Sequence, residues 1–395
     1  MSDEAASRTG LNVESTLREL LQPLLEGLYT IRQVGPRMHP ERVSALASAL
    51  LDRQTRLEAA RAAFQARVEP LFVAEMRTLA ERLLDAADQT LDAMQRFAAG
   101  AQQLASDPGA LFTLGRALRR ANGALEILYT LSPLLNPVSG FFVEESVTER
   151  DRLVDLLRDG FLAAHQSERP CGLQHHHNER GERGGWSLYV PESHDPEQPT
   201  PLIVGLHGGS GHGRDFIWNW LIHARSRNCL LLCPTSKART WSFIEPEDID
   251  REPLLDCVAA IRARFNVDDQ RILLTGMSDG ATYALYTGLS PGVPFTHLAG
   301  LSGVLHPMLM MGGGLMLARD RPVYLAHGTL DWMFPVHTAR EAAAQLEAVG
   351  ARLVYHEIEG LAHTYAFDEN AAILDWLGAP HTSGVARAGH QPPST

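Results

Sequence analysis

Apolar residues recur every three or four positions from about residue 12 to about residue 164. Beyond residue 171 that rhythm gives way to short apolar runs separated by polar stretches. The first pattern keeps side chains on one face of an α-helix, and the second is what buried strands alternating with covering helices produce. The periodicity predicts helices over 13–32, 40–66, 68–104, 110–131 and 149–164, with breaks at Pro36, Pro40, Pro108-Gly109 and Pro133. Proline ends a helix because it has no amide donor and its ring clashes with the preceding turn. Strands are predicted over 172–177, 185–190, 202–207, 230–234, 271–275, 297–302, 323–327 and 352–358, the first two as an antiparallel hairpin. Helices over 215–227, 251–265, 280–289, 339–348 and 369–377 fall between or after them. The expected organisation is an all-α N-terminal domain over 1–168, an α/β domain with a mostly parallel eight-stranded sheet over 169–378, and a disordered tail over 379–395. That tail is rich in Gly, Pro, Ser and His and has no periodicity.

Composition narrows the function classes. With 45% hydrophobic and 21% charged residues, the chain has the make-up of a globular protein able to bury a large core. A net charge of −12 argues against a nucleic-acid partner, which calls for a basic face, and against an anionic membrane surface. The basic cluster Arg116, Arg119 and Arg120 reads as a solvated helix face. No apolar run reaches the roughly 20 residues of a membrane span, and the acidic start, Met1-Ser2-Asp3-Glu4, does not read as a secretory signal, so a cytoplasmic location is expected. Cys171, Cys229, Cys233 and Cys257 are scattered, as suits reduced thiols.

The chemistry concentrates in the second half. Gly276-Met277-Ser278-Asp279-Gly280 stands between an apolar strand and a helical pattern. A serine on such a strand-turn-helix joint projects its hydroxyl beyond the sheet edge, and the glycines allow the close packing that the turn demands. The strand over 202–207 runs into Gly208-Gly209-Ser210-Gly211, a turn that exposes backbone amides at the same edge. A phosphate loop is disfavoured because the Gly-x-x-x-x-Gly-Lys-Ser/Thr spacing is absent. The amides of Gly209 and Asp279 are therefore the expected oxyanion hole. A serine needs a base, and the base an orienting carboxylate. Asp331 follows the strand over 323–327, and His363 follows the strand over 352–358, each on a loop at that edge. Ser278, Asp331 and His363 are the expected catalytic residues. His327 is a rival base whose place at a strand end suits it to shaping the Asp331 loop, and Glu359 is a rival acid.

Together, His207-Gly208-Gly209, Gly276-Met277-Ser278-Asp279-Gly280, His327-Gly328-Thr329-Leu330-Asp331 and Gly360-Leu361-Ala362-His363 resemble the α/β-hydrolases. The resemblance is to the phospholipase/carboxylesterase and polyhydroxybutyrate-depolymerase-like esterases in particular, over about residues 172–377. It implies the α/β-hydrolase fold and an acyl-enzyme mechanism on a carboxylic ester, without metal or organic cofactor. A thioesterase, lysophospholipase or polyester-oligomer hydrolase would use the same three groups. A catalytically silent binding scaffold working through its helical half is the rival from another class.

Trp241 and Trp332 are candidate walls of a substrate pocket. His175-His176-His177 invites a zinc reading, but alternating strand geometry sends neighbouring side chains to opposite faces, and no metal site is expected there. The N-terminal helices could cap the site, dock a partner or form a homodimer, which apolar stripes over 43–66 and 71–99 would favour.

Overall fold

The computed structural model describes residues 3–71, 74–104, 110–243, 247–311 and 313–379. The expected break at Pro108-Gly109 and residues 380–395 of the expected tail lie outside the described residues. The chain divides into two compact units, Met1–Phe141 and Phe142–Thr395.

Among the described residues the first unit is all helical: α1 (Asp3–Val34), α2 (Val43–Leu71), α3 (Ala74–Gln103), α4 (Ala110–Arg119), α5 (Ala121–Leu131) and α6 (Asn136–Phe141). Its core is read directly from spacing. Leu20, Leu24 and Leu28 of α1, Leu50, Leu57 and Phe64 of α2, and Leu83, Met94 and Phe97 of α3 are buried at four- and seven-residue multiples or near them. The single helix expected over 110–131 is two. At the joint, the bonds from Arg120 N to Ala117 O and from Gly123 N to Arg120 O tighten the spiral to three-residue spacing, while Arg120 keeps helical angles. Among the described residues of α2 and α3, Leu51 is the large apolar side chain left exposed.

The second unit starts before the expected boundary near residue 168, with α7 (Arg150–Gln166) inside it. Val143, Val147, Leu153, Val154 and Leu157 form a buried cluster. Buried Glu144 pairs with buried Arg227 at 2.7 Å, and its amide donates to Ser226 Oγ at 2.9 Å. Gly160 of α7 meets backbone: a Cβ there would stand 2.4 Å from Glu192 O.

The sheet contains β1 (Gly172–His176), β2 (Trp186–Val190), β3 (Thr200–Leu206), β4 (Leu230–Pro234), β5 (Val267–Met277), β6 (His297–Leu301), β7 (Pro322–Gly328) and β8 (Arg352–Ile358). Their spatial order is β1-β2-β4-β3-β5-β6-β7-β8. The β1–β2 and β2–β4 pairings are antiparallel, and all the others are parallel. The second unit therefore has the α/β-hydrolase fold. Besides α7, its helices among the described residues are α8 (Gly213–Phe216), α9 (Leu221–Ser226), α10 (Arg251–Arg264), α11 (Asp279–Gly288), α12 (Pro307–Met311), α13 (Val336–Ala348) and α14 (Glu369–Leu377). The helix expected over 215–227 is divided into α8, a 3₁₀ turn and α9, with Ile217 and Trp220 driven into the core between them. Leu202, Val204, Leu206, Leu230, Leu232, Ile272 and Leu274 are among the strand residues of the main core. Parallel neighbours end their strands on one edge, so the loops after β3, β5, β7 and β8 converge there.

Candidate active site

The joint between β5 and α11 turns on Ser278, whose backbone sits at φ 56° and ψ −122°. A non-glycine residue held there stores strain of about 1–3 kcal/mol, which the surrounding packing must enforce. Ser278 N donates to Leu301 O at 2.9 Å, and Ser278 O accepts from the amides of Ala281 and Thr282 at 2.9 and 3.0 Å. The flanking glycines are steric requirements. A Cβ on Gly276 would lie 2.4 Å from Gly280 C, and one on Gly280 would lie 2.3 Å from Leu206 O.

The loops after β7 and β8 are laced together. Thr329 N donates to Ile358 O at 3.0 Å and Leu330 N to Leu361 O at 2.9 Å, and Gly360 N donates to Thr329 Oγ1 at 2.9 Å. The result is a chain of three side chains. His363 Nδ1 stands 2.8 Å from Asp331 Oδ2, and His363 Nε2 stands 3.0 Å from Ser278 Oγ. A nitrogen facing a carboxylate carries the proton, so Nε2 is left with its lone pair toward the serine hydroxyl. Asp331 is fixed from its other oxygen, Oδ1, which accepts from the amides of Met333 and Phe334 at 2.9 and 2.8 Å.

His327, the rival base, is tied to this loop: its Nε2 donates to Phe334 O at 2.7 Å and stands 3.4 Å from Asp331 Oδ2. Glu359 is exposed beyond the end of β8.

Beside Ser278, the turn after β3 brings Gly208 so close that a Cβ on it would lie 3.5 Å from Ser278 Cβ. Gly209 adjoins Asp279, whose Oδ2 would stand 2.5 Å from a Cβ on Gly209 and accepts from Thr240 Oγ1 at 2.6 Å. Asp279 opens α11, where helix geometry leaves amides without intrahelical acceptors. The two amides expected to face an oxyanion thus belong to adjoining residues.

The two tryptophans part company. Trp332 is 42% exposed, with its ring 6.1 Å from that of His363. Trp241 is buried beneath the turn: its Nε1 donates to His207 O at 2.8 Å, and its ring stacks 5.3 Å from Tyr283. Tyr283 in turn donates to Asp248 Oδ1 at 2.7 Å, and burial pushes its phenol well above the usual range. Trp241 is therefore placed as a support of the turn, because an indole 2% exposed, packed against Tyr283 and with its N–H engaged, offers little surface to a ligand. Two residues at the site escaped the sequence reading: Thr240, and Phe334 with its ring 5.4 Å edge-on to His363. Phe334 stands three positions after Asp331, and that spacing was the available signal.

The histidine run stands at the sheet's edge. His175 Nδ1 is 2.8 Å from Ser187 Oγ, and His176 stacks 4.9 Å from Trp186. Among the described residues no group of three His, Cys, Asp or Glu is arranged to hold a metal. No helix among them is long and apolar enough to cross a membrane.

Residues 255–379 match the sequence profile of a family described as phospholipase/carboxylesterase. The chain is 28% identical over 138 residues to acyl-protein thioesterase 1 of Yarrowia lipolytica, across 32% of this chain and 60% of that protein. It spans less than two thirds of that relative's length. Among solved structures, a thermostable esterase is similar at 21% identity and TM-score 0.41 over 49% of this chain and 58% of the other. S-formylglutathione hydrolase from Staphylococcus aureus is similar at 14% identity and TM-score 0.42 over 52% of this chain and 97% of the other.

Proposed function

We propose, from the premise that the second unit belongs to the α/β-hydrolase superfamily, that this protein is a serine hydrolase cleaving a carboxylic ester through an acyl-enzyme intermediate. The observation that carries the reading is the His363 ring, bridging Asp331 Oδ2 at 2.8 Å and Ser278 Oγ at 3.0 Å. In that geometry Ser278 Oγ attacks the carbonyl carbon while its proton passes to His363 Nε2. Asp331 stabilises the imidazolium and keeps the proton on Nδ1. The negative charge that develops on the carbonyl oxygen is met by the amides of Gly209 and Asp279, donors fixed before reaction and in need of no reorganisation. Collapse expels the alcohol, which takes the proton from His363. Water then attacks the acyl-serine by the same route and restores Ser278. Every step uses groups of this chain and calls for no metal or cofactor.

A thioester runs through the same steps with a thiol as leaving group, and similarity to a protein named acyl-protein thioesterase 1 supports including that class. Trp332, beside His363, is the proposed wall against which the acyl or alcohol group rests. The test pairs p-nitrophenyl acetate with an acetyl thioester in stopped flow. Expected are a burst of p-nitrophenol stoichiometric with enzyme or steady turnover, and loss of both in Ser278→Ala. Turnover that survives in Ser278→Ala would overturn the proposal.

A further inference from the structure

We propose that His207 is the positioning residue that sets the direction of the Gly209 amide, an inference that rests on the acyl-transfer reading above. His207 follows the last residue of β3 and is 1% exposed. Both of its ring nitrogens are engaged by backbone. Nδ1 stands 2.8 Å from Gly208 O, and Nε2 stands 3.1 Å from Ser236 N. An amide N–H only donates, so Nε2 is the lone-pair nitrogen and Nδ1 carries the proton. The ring is thereby a neutral bridge between the loop after β4 and the carbonyl of Gly208.

That carbonyl belongs to the same peptide unit as the Gly209 N–H. A trans peptide is planar, with its C=O and N–H pointing in opposite directions, so whatever fixes one fixes the other. Gly208 O accepts both from His207 Nδ1 and from Gly211 N, the latter at 2.9 Å. With two donors holding the oxygen, the Gly209 N–H is turned to the opposite side of the peptide and cannot rotate without breaking both bonds. The same turn lies against Ser278 and Asp279, as the virtual Cβ distances of 3.5 Å at Gly208 and 2.5 Å at Gly209 record.

Two further features keep the ring in place. A Cβ on Gly211 would stand 2.9 Å from His207 Cβ and 3.0 Å from Nδ1, so the third glycine of the turn is what lets the ring fold back onto its own loop. Trp241 packs 4.9 Å from the His207 ring and bonds the residue's carbonyl, which prevents the whole peptide from sliding. His207 touches no reacting atom in this scheme; it acts through the peptide.

The test compares His207→Asn with His207→Gln. The asparagine amide nitrogen reaches the place of Nδ1 and keeps the donor to Gly208 O. Glutamine reaches the place of Nε2 and keeps only the link to Ser236. Misdirecting one oxyanion donor is expected to lower kcat of H207Q by about 10- to 100-fold with KM within about twofold. Affinity for a trifluoromethyl ketone should fall by a similar factor, since only the tetrahedral adduct uses the donor. H207N is expected to retain kcat within about threefold of the native enzyme on the same scale. Equal loss in both variants, or none in H207Q, would overturn the proposal.

A second readout is independent of turnover: the ¹⁵N spectrum of labelled histidine, assigned by difference against H207N, is expected to place the His207 proton on Nδ1. A proton on Nε2 overturns the positioning role even in an active enzyme. If the native protein turns over no ester or thioester, the acyl-transfer reading fails, and the spectrum still decides whether His207 orients the peptide.

Discussion

Replacing Asp331 by asparagine removes a charge without changing shape, and the structure dictates how the amide must settle. Oδ1 accepts from the amides of Met333 and Phe334 at 2.9 and 2.8 Å, so the asparagine oxygen has to occupy that position. Its NH₂ then faces His363 Nδ1 across the 2.8 Å gap, donor against donor. The conflict is relieved when His363 moves its proton to Nε2, and an Nε2–H can no longer accept from Ser278 Oγ. Loss of one charge-assisted hydrogen bond alone would cost about 2 kcal/mol, near 30-fold. Locking the wrong tautomer is larger, about 10⁴-fold in kcat, or about 5.5 kcal/mol. The assay is kcat on a p-nitrophenyl ester at neutral pH, with a thermal melt to establish that the variant is folded. A folded D331N enzyme within about tenfold of native kcat, less than the single bond would cost, would refute the tautomer argument.

Other predictions follow from the same contacts. Gly280→Ala forces a methyl to 2.3 Å from Leu206 O, a backbone clash that cannot be relieved by a rotamer, and is expected to cost more than about 3 kcal/mol in urea unfolding. Trp332→Ala is expected to raise KM for bulky esters over acetate while kcat on acetate stays within about threefold, and unchanged selectivity across a chain-length panel would remove Trp332 from the pocket. The Arg340 guanidinium bonds both oxygens of Glu357 at 2.7 Å and holds its carboxyl down to about 2. A lowered folded value makes the pair's stabilisation fully present above the ordinary carboxyl pKa of about 4.3 and progressively lost as pH falls toward 2. Arg340→Ala should therefore return Glu357 toward the ordinary range in a carboxyl ¹³C titration, and an unchanged midpoint would deny the pairing.

What a sequence reveals of a fold depends on what each of its signals measures. The strands were legible because sheets covered on both faces leave continuous apolar runs, such as Leu230 to Leu232 and Ile272 to Leu274. The spatial exchange of β3 and β4 was not, since nothing in a strand's composition names its neighbour. The joint at Arg120 escaped because a shift to three-residue bonding leaves apolar spacing almost unaltered. The helix expected over 149–164 shares its periodicity with the helices before it, which by itself places it with them. Its membership of the second unit is carried by Glu144 and Arg227, 83 positions apart, which only the fold brings together. At the site, Ser278, Asp331 and His363 could be chosen because each stands on a loop just after a strand at one edge. The support role of Trp241 could not, because a buried and an exposed loop tryptophan have the same local sequence signature.

The central claim is an activated serine at position 278. Labelling with a fluorophosphonate, followed by intact mass and peptide mapping, tests it most directly. The account predicts one adduct per chain on Ser278 in the native protein, with none after heat denaturation and none in Ser278→Ala. Labelling elsewhere, labelling that persists in Ser278→Ala, or no labelling of the folded protein would contradict it.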